Sequence, residues 1–377
     1  MERGGDGGGA VLGAFAVLAL AIAGFAFSFT PAAARLDAAL LDREWAVLRA
    51  VAPRPAPDEI VIVGVDEASV RAVPQPVGAW NEPLGEVLVR IASAKPQAIA
   101  LAVALPDRSL DGLRPGLDRA LLVGLAAARR NGPFVVALSI DARTRSARPI
   151  YAPYLAVLGD QALGIDLWPR DADGVTRRFS LLVPTEDGGF PTFAGRICAL
   201  LSGRCSDGLI DFALGTPFRY IPFSDVLQMR DADRVRRLFG GRIVLIGEAQ
   251  RYADRIAVPF NPAAWERGGR DAPGIVVHAQ ALRTALLGAA PEEAARPVTV
   301  LLVALAALLL RVRRWSHLLP GAALAAAVLL ALAILALRAG TFVPVAPALA
   351  TLAAVLAVRA TLDAFRRRRA RSAPTPP

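Results

Sequence analysis

The side chains able to do chemistry in this chain are few and scattered. Asp66, Glu67 and Ser69 directly follow the apolar run Glu59–Val65. In a parallel α/β sheet the carboxyl ends of the strands are where ligands sit, although an aspartate there can equally cap the next helix or turn. His278 is one of two histidines in the chain and could titrate or bind a ligand beside Asp66 or Asp254. Ser69 and His278 would form a hydrolase pair only with a nucleophile elbow, and no Gly-x-Ser-x-Gly surrounds Ser69. There is no oxyanion context and no Gly-rich phosphate loop, so the expectation is a non-enzymatic protein without a cofactor.

Asp171, Asp173 and Gly174 open the block DADGVTRR, which ends at Arg177 and Arg178. Two aspartates could begin a calcium loop, but such a loop needs more oxygen ligands and a late bidentate glutamate. Arginines follow instead, and Asp-Gly is turn chemistry; the block is read as structural, and no metal site is expected. Asp254 with Arg255 reads as an ion pair or a ligand contact, the structural role being preferred. Cys198 and Cys205 are the only cysteines, too few for a disulfide framework or a four-cysteine zinc site. A bridge between them is chemically allowed outside the cytoplasm. Two unpaired thiols is the other reading, and sequence carries no geometry with which to choose.

The elements that would position these groups alternate. Glu59–Val65, Gln97–Leu105, Phe134–Ile140 and Gly240–Gly247 read as buried strands; Leu84–Ala94, Leu117–Arg130, Phe193–Leu201 and Gly274–Leu287 read as helices. Leu163–Leu167 and Val175–Val183 flank a polar turn and suggest a hairpin. The expected fold is therefore an α/β domain with a mixed, largely parallel sheet, spanning residues 30–296. The Pro-rich Ala52–Pro57 reads as a stalk linker.

Hydrophobic residues make up 54% of the 377 residues, and they cluster. Ala10–Phe29 is long enough to cross a bilayer and too long for an ordinary signal-peptide core; an uncleaved anchor is preferred to a cleaved leader. Pro297–Leu310, Leu318–Leu337 and Thr341–Leu362 complete four expected spans, placed at 10–29, 297–315 (with its basic loop), 318–337 and 341–362. The net charge of +10 comes mostly from Arg311, Arg313 and Arg314 and from Arg366 to Arg369 with Arg371. That placement is the positive-inside pattern rather than a nucleic-acid surface. It puts residues 1–9 and 363–377 in the cytoplasm, the middle outside, and Arg338–Gly340 in a tight outer turn.

Ordered motifs add a resemblance. Leu36-Asp37 to Leu48, IVIVGVDEAS at Ile60–Ser69, Trp80 with Pro83, Ala98–Val103, DADGVTRR, Arg242–Gly247 with Ala253-Asp254-Arg255 and Pro259, and PGIVVHA at Pro273–Ala279 together resemble the CHASE type 2 extracellular sensory domain. Asn81-Glu82 departs from the pattern, and Ala102 stands where an aspartate is usual. The resemblance implies one span before the domain and three after it. It also implies a bacterial sensor in the inner (plasma) membrane that perceives an unidentified extracytoplasmic ligand. Such families usually carry a cyclase or kinase after the last span. Here twelve residues follow Phe365, so the expectation is a stand-alone sensor read by a separate signalling protein, with a homodimer expected from sensor families. The alternative is a structural or regulatory subunit that docks proteins on its outer domain.

Overall fold

The computed structural model describes residues 6–140, 146–184, 189–201, 205–266 and 268–371; the first residues of the 1–9 tail and the last of the 363–377 tail lie outside them. The chain divides into two compact units, one taking the described residues up to Leu48 and from Pro291 on, the other Arg49–Ala290.

The first unit is helical: α1 (Asp6–Phe27), most of α2 (Pro31–Val51), α11 (Arg296–Leu308), α12 (Trp315–Arg338) and α13 (Ala346–Arg371). Helices α12 and α13 are long and apolar enough to cross a membrane, with mean hydropathies of 2.5 and 1.6. Only 17% and 22% of their apolar windows are buried within the protein, so most of that apolar surface faces outward, as lipid-facing helices require. A third span exists only if α1 and α2, bent by 76° at the break before Pro31, count as one. Four expected spans thus become two or three. Pro297–Leu310 forms a 13-residue α-helix and one 3₁₀ turn, short of the roughly 20 residues a bilayer core asks for. The last expected span starts late. Thr341–Phe342 pairs in parallel with Glu292–Glu293, and α13 begins at Ala346, with Pro347 near its start where a missing N–H costs nothing. The tight turn after α12 is present, with Gly340 at φ +91°.

Small residues let these helices approach. A Cβ on Gly24 of α1 would collide with the Thr351 hydroxyl of α13, and Val303, Ala306, Ala348 and Leu352 pack nearby. At one end of the bundle the Trp315 indole donates to Asp363 Oδ2 at 2.6 Å, and Arg359 donates to the Arg313 carbonyl.

The second unit is a parallel sheet between helices. Its strands are β1 (Ile60–Val65), β2 (Ala98–Ala102), β3 (Phe134–Ser139), β4 (Leu163–Asp166), β5 (Tyr220–Pro222) and β6 (Ile243–Glu248). They lie in the order β4-β3-β2-β6-β1-β5, and every pairing is parallel. The central strands are apolar on both faces because both are covered. Helices α4 (Asn81–Ser93), α5 (Leu117–Arg130), α8 (Phe223–Gln228) and α9 (Ala232–Phe239) group together, while α7 (Phe193–Leu201) and α10 (Gly274–Leu286) pack on each other and on the sheet. Short helices α3 (Glu67–Ala72) and α6 (Ala152–Leu158) complete the unit. Gly85 and Gly124 bring α4 and α5 into backbone contact; a Cβ on Gly124 would lie 2.5 Å from Gly85 Cα.

The expected hairpin is not formed. β4 pairs in parallel with β3, whereas Arg178–Phe179 pairs antiparallel with Gly208–Leu209 and Leu182–Val183 with Phe190–Pro191. The antiparallel character assigned to the main sheet belongs to these small ribbons. Ala52–Pro57 is no free stalk either: Arg54 exchanges backbone hydrogen bonds with Ala213 and Gly215, and its guanidinium meets Asp211 at 2.6 Å. Cys198, on α7, and Cys205 are joined by a disulfide.

Candidate functional site

The sequence-selected residues fall into two groups at the carboxyl edge of the sheet. The first follows β1. Asp66 caps α3: its Oδ1 accepts from the Ser69 amide at 2.8 Å and the Ser69 hydroxyl at 2.6 Å, and its Oδ2 accepts from the Tyr220 hydroxyl at 3.0 Å. Ser69 Oγ also accepts from the Ser224 amide at 3.1 Å. Asp66 and Ser69 are buried, so this cluster ties β1, α3, β5 and α8 together with its hydrogen bonds internally satisfied. Burial, then the Asp66 charge, pushes the Tyr220 phenol up to about 12. Glu67 is exposed and receives the Arg251 amide at 2.8 Å.

The second group gathers at β4, β6 and the start of α10. His278 is buried between Trp168 and Phe193, with ring centroids at 4.6 and 4.8 Å. Its Nε2 lies 3.1 Å from Asp166 Oδ1, at the end of β4; its Nδ1 is buried without a partner. Asp254 has left-handed backbone, φ +47°. Its carbonyl accepts from the Gly274 amide at 2.8 Å, and its carboxylate occupies the space a Cβ on Gly274 would need. Burial, then the Asp166 charge, raises the Asp254 carboxyl above its ordinary range. Glu248, at the end of β6, is raised in turn by burial and by Asp254. Arg255 does not pair with Asp254; it grips Glu266 at 2.7 and 2.8 Å and Asp271 at 3.1 Å.

The two groups are well separated. Asp66 follows β1 and Asp166 ends β4, four places apart in the sheet, about 19 Å at the usual strand spacing. Ser69 and His278 therefore belong to separate clusters. Among the described residues no group of three His, Cys, Asp or Glu side chains could hold a metal ion.

The DADGVTRR block closes on itself. Arg177, 1% exposed, donates to Asp171 at 2.9 Å and to both oxygens of Asp173 at 2.8 and 3.0 Å. The Arg177 hydrogen bonds hold Asp173 down at about 2. Gly174 takes φ +81° in the turn. Arg178 stands 3.9 Å from Asp171. The Thr176 amide donates to the Ala257 carbonyl at 2.8 Å, fastening the block to the Arg255–Ala257 strand.

Sequence reasoning missed Asp166, Tyr220, Ser224 and Glu248. Asp166 sat inside an expected strand, and only its terminal position could have marked it. The family model of the CHASE2 domain matches residues 15–337. No curated protein and no solved structure gives a match.

Proposed function

The chain belongs to the CHASE2 domain family, and from that premise we propose that it is a membrane sensor whose α/β unit perceives a signal outside the cytoplasm. The observation that carries the reading is the extent of the match, which takes in the α/β unit together with α12 and most of α1.

In this proposal α12 and α13, the two helices long and apolar enough to span, cross the plasma membrane as a hairpin with the basic segments at its two ends inside. Two contacts support it. Glu292–Glu293, just before α11, pairs with Thr341–Phe342, between α12 and α13. At the other end Arg313, just after α11, meets Arg359 of α13. Arg311–Arg314 and Arg366–Arg371 then share the cytoplasmic side.

The role is non-enzymatic, in keeping with Asp66 and Ser69 serving each other. Signal binding favours one of two states of the outer unit, a homodimer carries the change across the membrane, and a separate kinase or cyclase reads it. Reporter fusions after residues 100, 313 and 371 test the topology, with only the first expected outside. Deletion of the gene tests the role. An unchanged kinase or cyclase response to envelope signals, with the outer unit capturing envelope proteins instead, would favour a docking subunit.

A further inference from the structure

A cavity of about 560 Å³ lies at the opposite, amino-terminal edge of the sheet. Its lining includes Asp58, just before β1, Arg219, just before β5, and Arg242, just before β6. Arg283, from the last turn of α10, Phe218 and Leu238 also line it. A volume of roughly 300–1,000 Å³ is that of small-molecule sites.

The charge in this cavity is unbalanced. Among the described residues no carboxylate lies within ion-pair distance of Arg219, Arg242 or Arg283. Arg283 is only 4% exposed. Its Nη1 donates to the carbonyls of Leu214 and Thr216 at 3.2 and 3.0 Å and to Gln280 Oε1 at 3.3 Å. Its guanidinium stacks on Phe218, 3.7 Å from the ring centroid, and its Nε is buried with no partner. Nearby Arg49 repeats the pattern: Nη1 donates to the Phe212 and Gly215 carbonyls at 3.1 and 2.9 Å, and Nη2 is buried and unpartnered. Burial, then the charge on Arg49, brings Arg283 down to about 10.

Neutral carbonyls and a ring face partly solvate the guanidinium, and Asp58 acts on it only from beyond ion-pair distance, so the buried charge remains expensive. Chains avoid that expense by placing a carboxylate beside the arginine, as this one does for Arg54, Arg177 and Arg255. At Arg283 it places a cavity instead, with two further arginines around it and Asp58 as the only acid in its lining. Planar guanidinium groups match carboxylate and phosphate oxygens in paired hydrogen bonds.

We propose that this cavity binds a small organic anion, its carboxylate or phosphate group held by Arg219, Arg242 and Arg283 and its apolar body lying against Phe218 and Leu238. The site stands on the unpaired arginines. Its use as the signal rests on the sensor reading: the anion would neutralise the last turn of α10, the helix from which the chain continues to Pro291 and α11.

The test uses the purified full chain in detergent. Thermal melts are recorded with succinate, inorganic phosphate and glycerol 3-phosphate, each against sodium chloride at equal ionic strength. A saturable rise in Tm is expected with succinate or with the two phosphates, and that division identifies the anionic group. Because Arg283→Gln risks misfolding, the decisive variant is Arg219→Gln with Arg242→Gln. Arg219 is exposed and Arg242 half-buried, so the pair should melt like the parent without anion and bind at least tenfold more weakly. No rise beyond chloride with any probe, or parental affinity in the double variant, overturns the proposal. If anions fail to bind while a deletion still abolishes signalling, the cavity assignment falls and the sensor reading stands. If they bind and deletion changes no signalling, the site stands and the sensor reading falls.

Discussion

Asp166 and His278 are 112 residues apart in sequence and meet at 3.1 Å, joining the end of an edge strand to the first turns of the helix that closes the domain. Burial raises the Asp166 carboxyl, but the charge and hydrogen bond of His278 outweigh it and the net displacement is downward. Replacing His278 by phenylalanine keeps the packing against Trp168 and Phe193 and strands the carboxylate. The expected cost is about 1–3 kcal/mol. Asp166→Asn in the same background should recover part of it, because the two changes share one interaction. Strictly additive Tm losses in the double variant would dismiss the pairing.

Asp254 acts in the opposite sense. Its carboxyl is raised, first by burial and then by Asp166, so its contribution is fully present below the unfolded value of about 3.9 and is lost as pH rises through the folded value. Asp254→Asn should therefore raise Tm at pH 7 and leave it unchanged near pH 3. Asparagine tolerates the φ of +47°, so no backbone penalty masks the effect. Equal shifts at the two pH values would refute the assignment. Asp254→Ala, which adds left-handed strain of about 1–2 kcal/mol, should gain less.

Arg177 is held by two aspartates in a geometry only a planar fork can satisfy. Arg177→Lys keeps the charge and should still cost about 3 kcal/mol, the scale of a broken buried pair. Arg178→Lys, at the half-exposed neighbour, should stay within about 0.5 kcal/mol. Similar effects at both positions in thermal melts would mean the block contributes charge rather than shape.

The contact of Gly85 with Gly124 leaves no room for a methyl group. Gly124→Ala should cost about 1–3 kcal/mol by forcing α4 and α5 apart, although alanine is the better helix former by about 1 kcal/mol. A variant as stable as the parent would show that the helices separate freely.

The long apolar strands were legible because β1, β2, β3 and β6 are buried on both faces and read as unbroken runs. β5 was not: three half-buried residues ending in Pro222 make a short edge strand, where proline is tolerated and hydrophobic pattern is weak. Nor was α9, whose eight residues bury only Val235 and Phe239. The apolar run of β4 marks a strand, but its true neighbour, β3, lies earlier in the chain than the hairpin partner its flanking turn suggests. The candidate sites divide along the same line. Asp66 and Ser69 are visible beside a long strand, whereas the partner of His278 and the arginines around the cavity at the amino-terminal edge are brought together only by the crossovers.

The strand order has a consequence for how the domain comes into being. β6 separates β1 from β2, yet it is synthesised about 180 residues after β1. Until Glu248 has emerged, the strands at the middle of the sheet have a gap where their shared neighbour belongs, and both exposed edges are open to wrong partners. Such long-range pairing folds slowly. The sheet is completed only shortly before α10 and then α11 follow, so the nascent chain must be kept from aggregating through nearly the whole of the domain's synthesis, and a chain stopped before residue 243 would carry an unfinished sheet rather than a smaller domain.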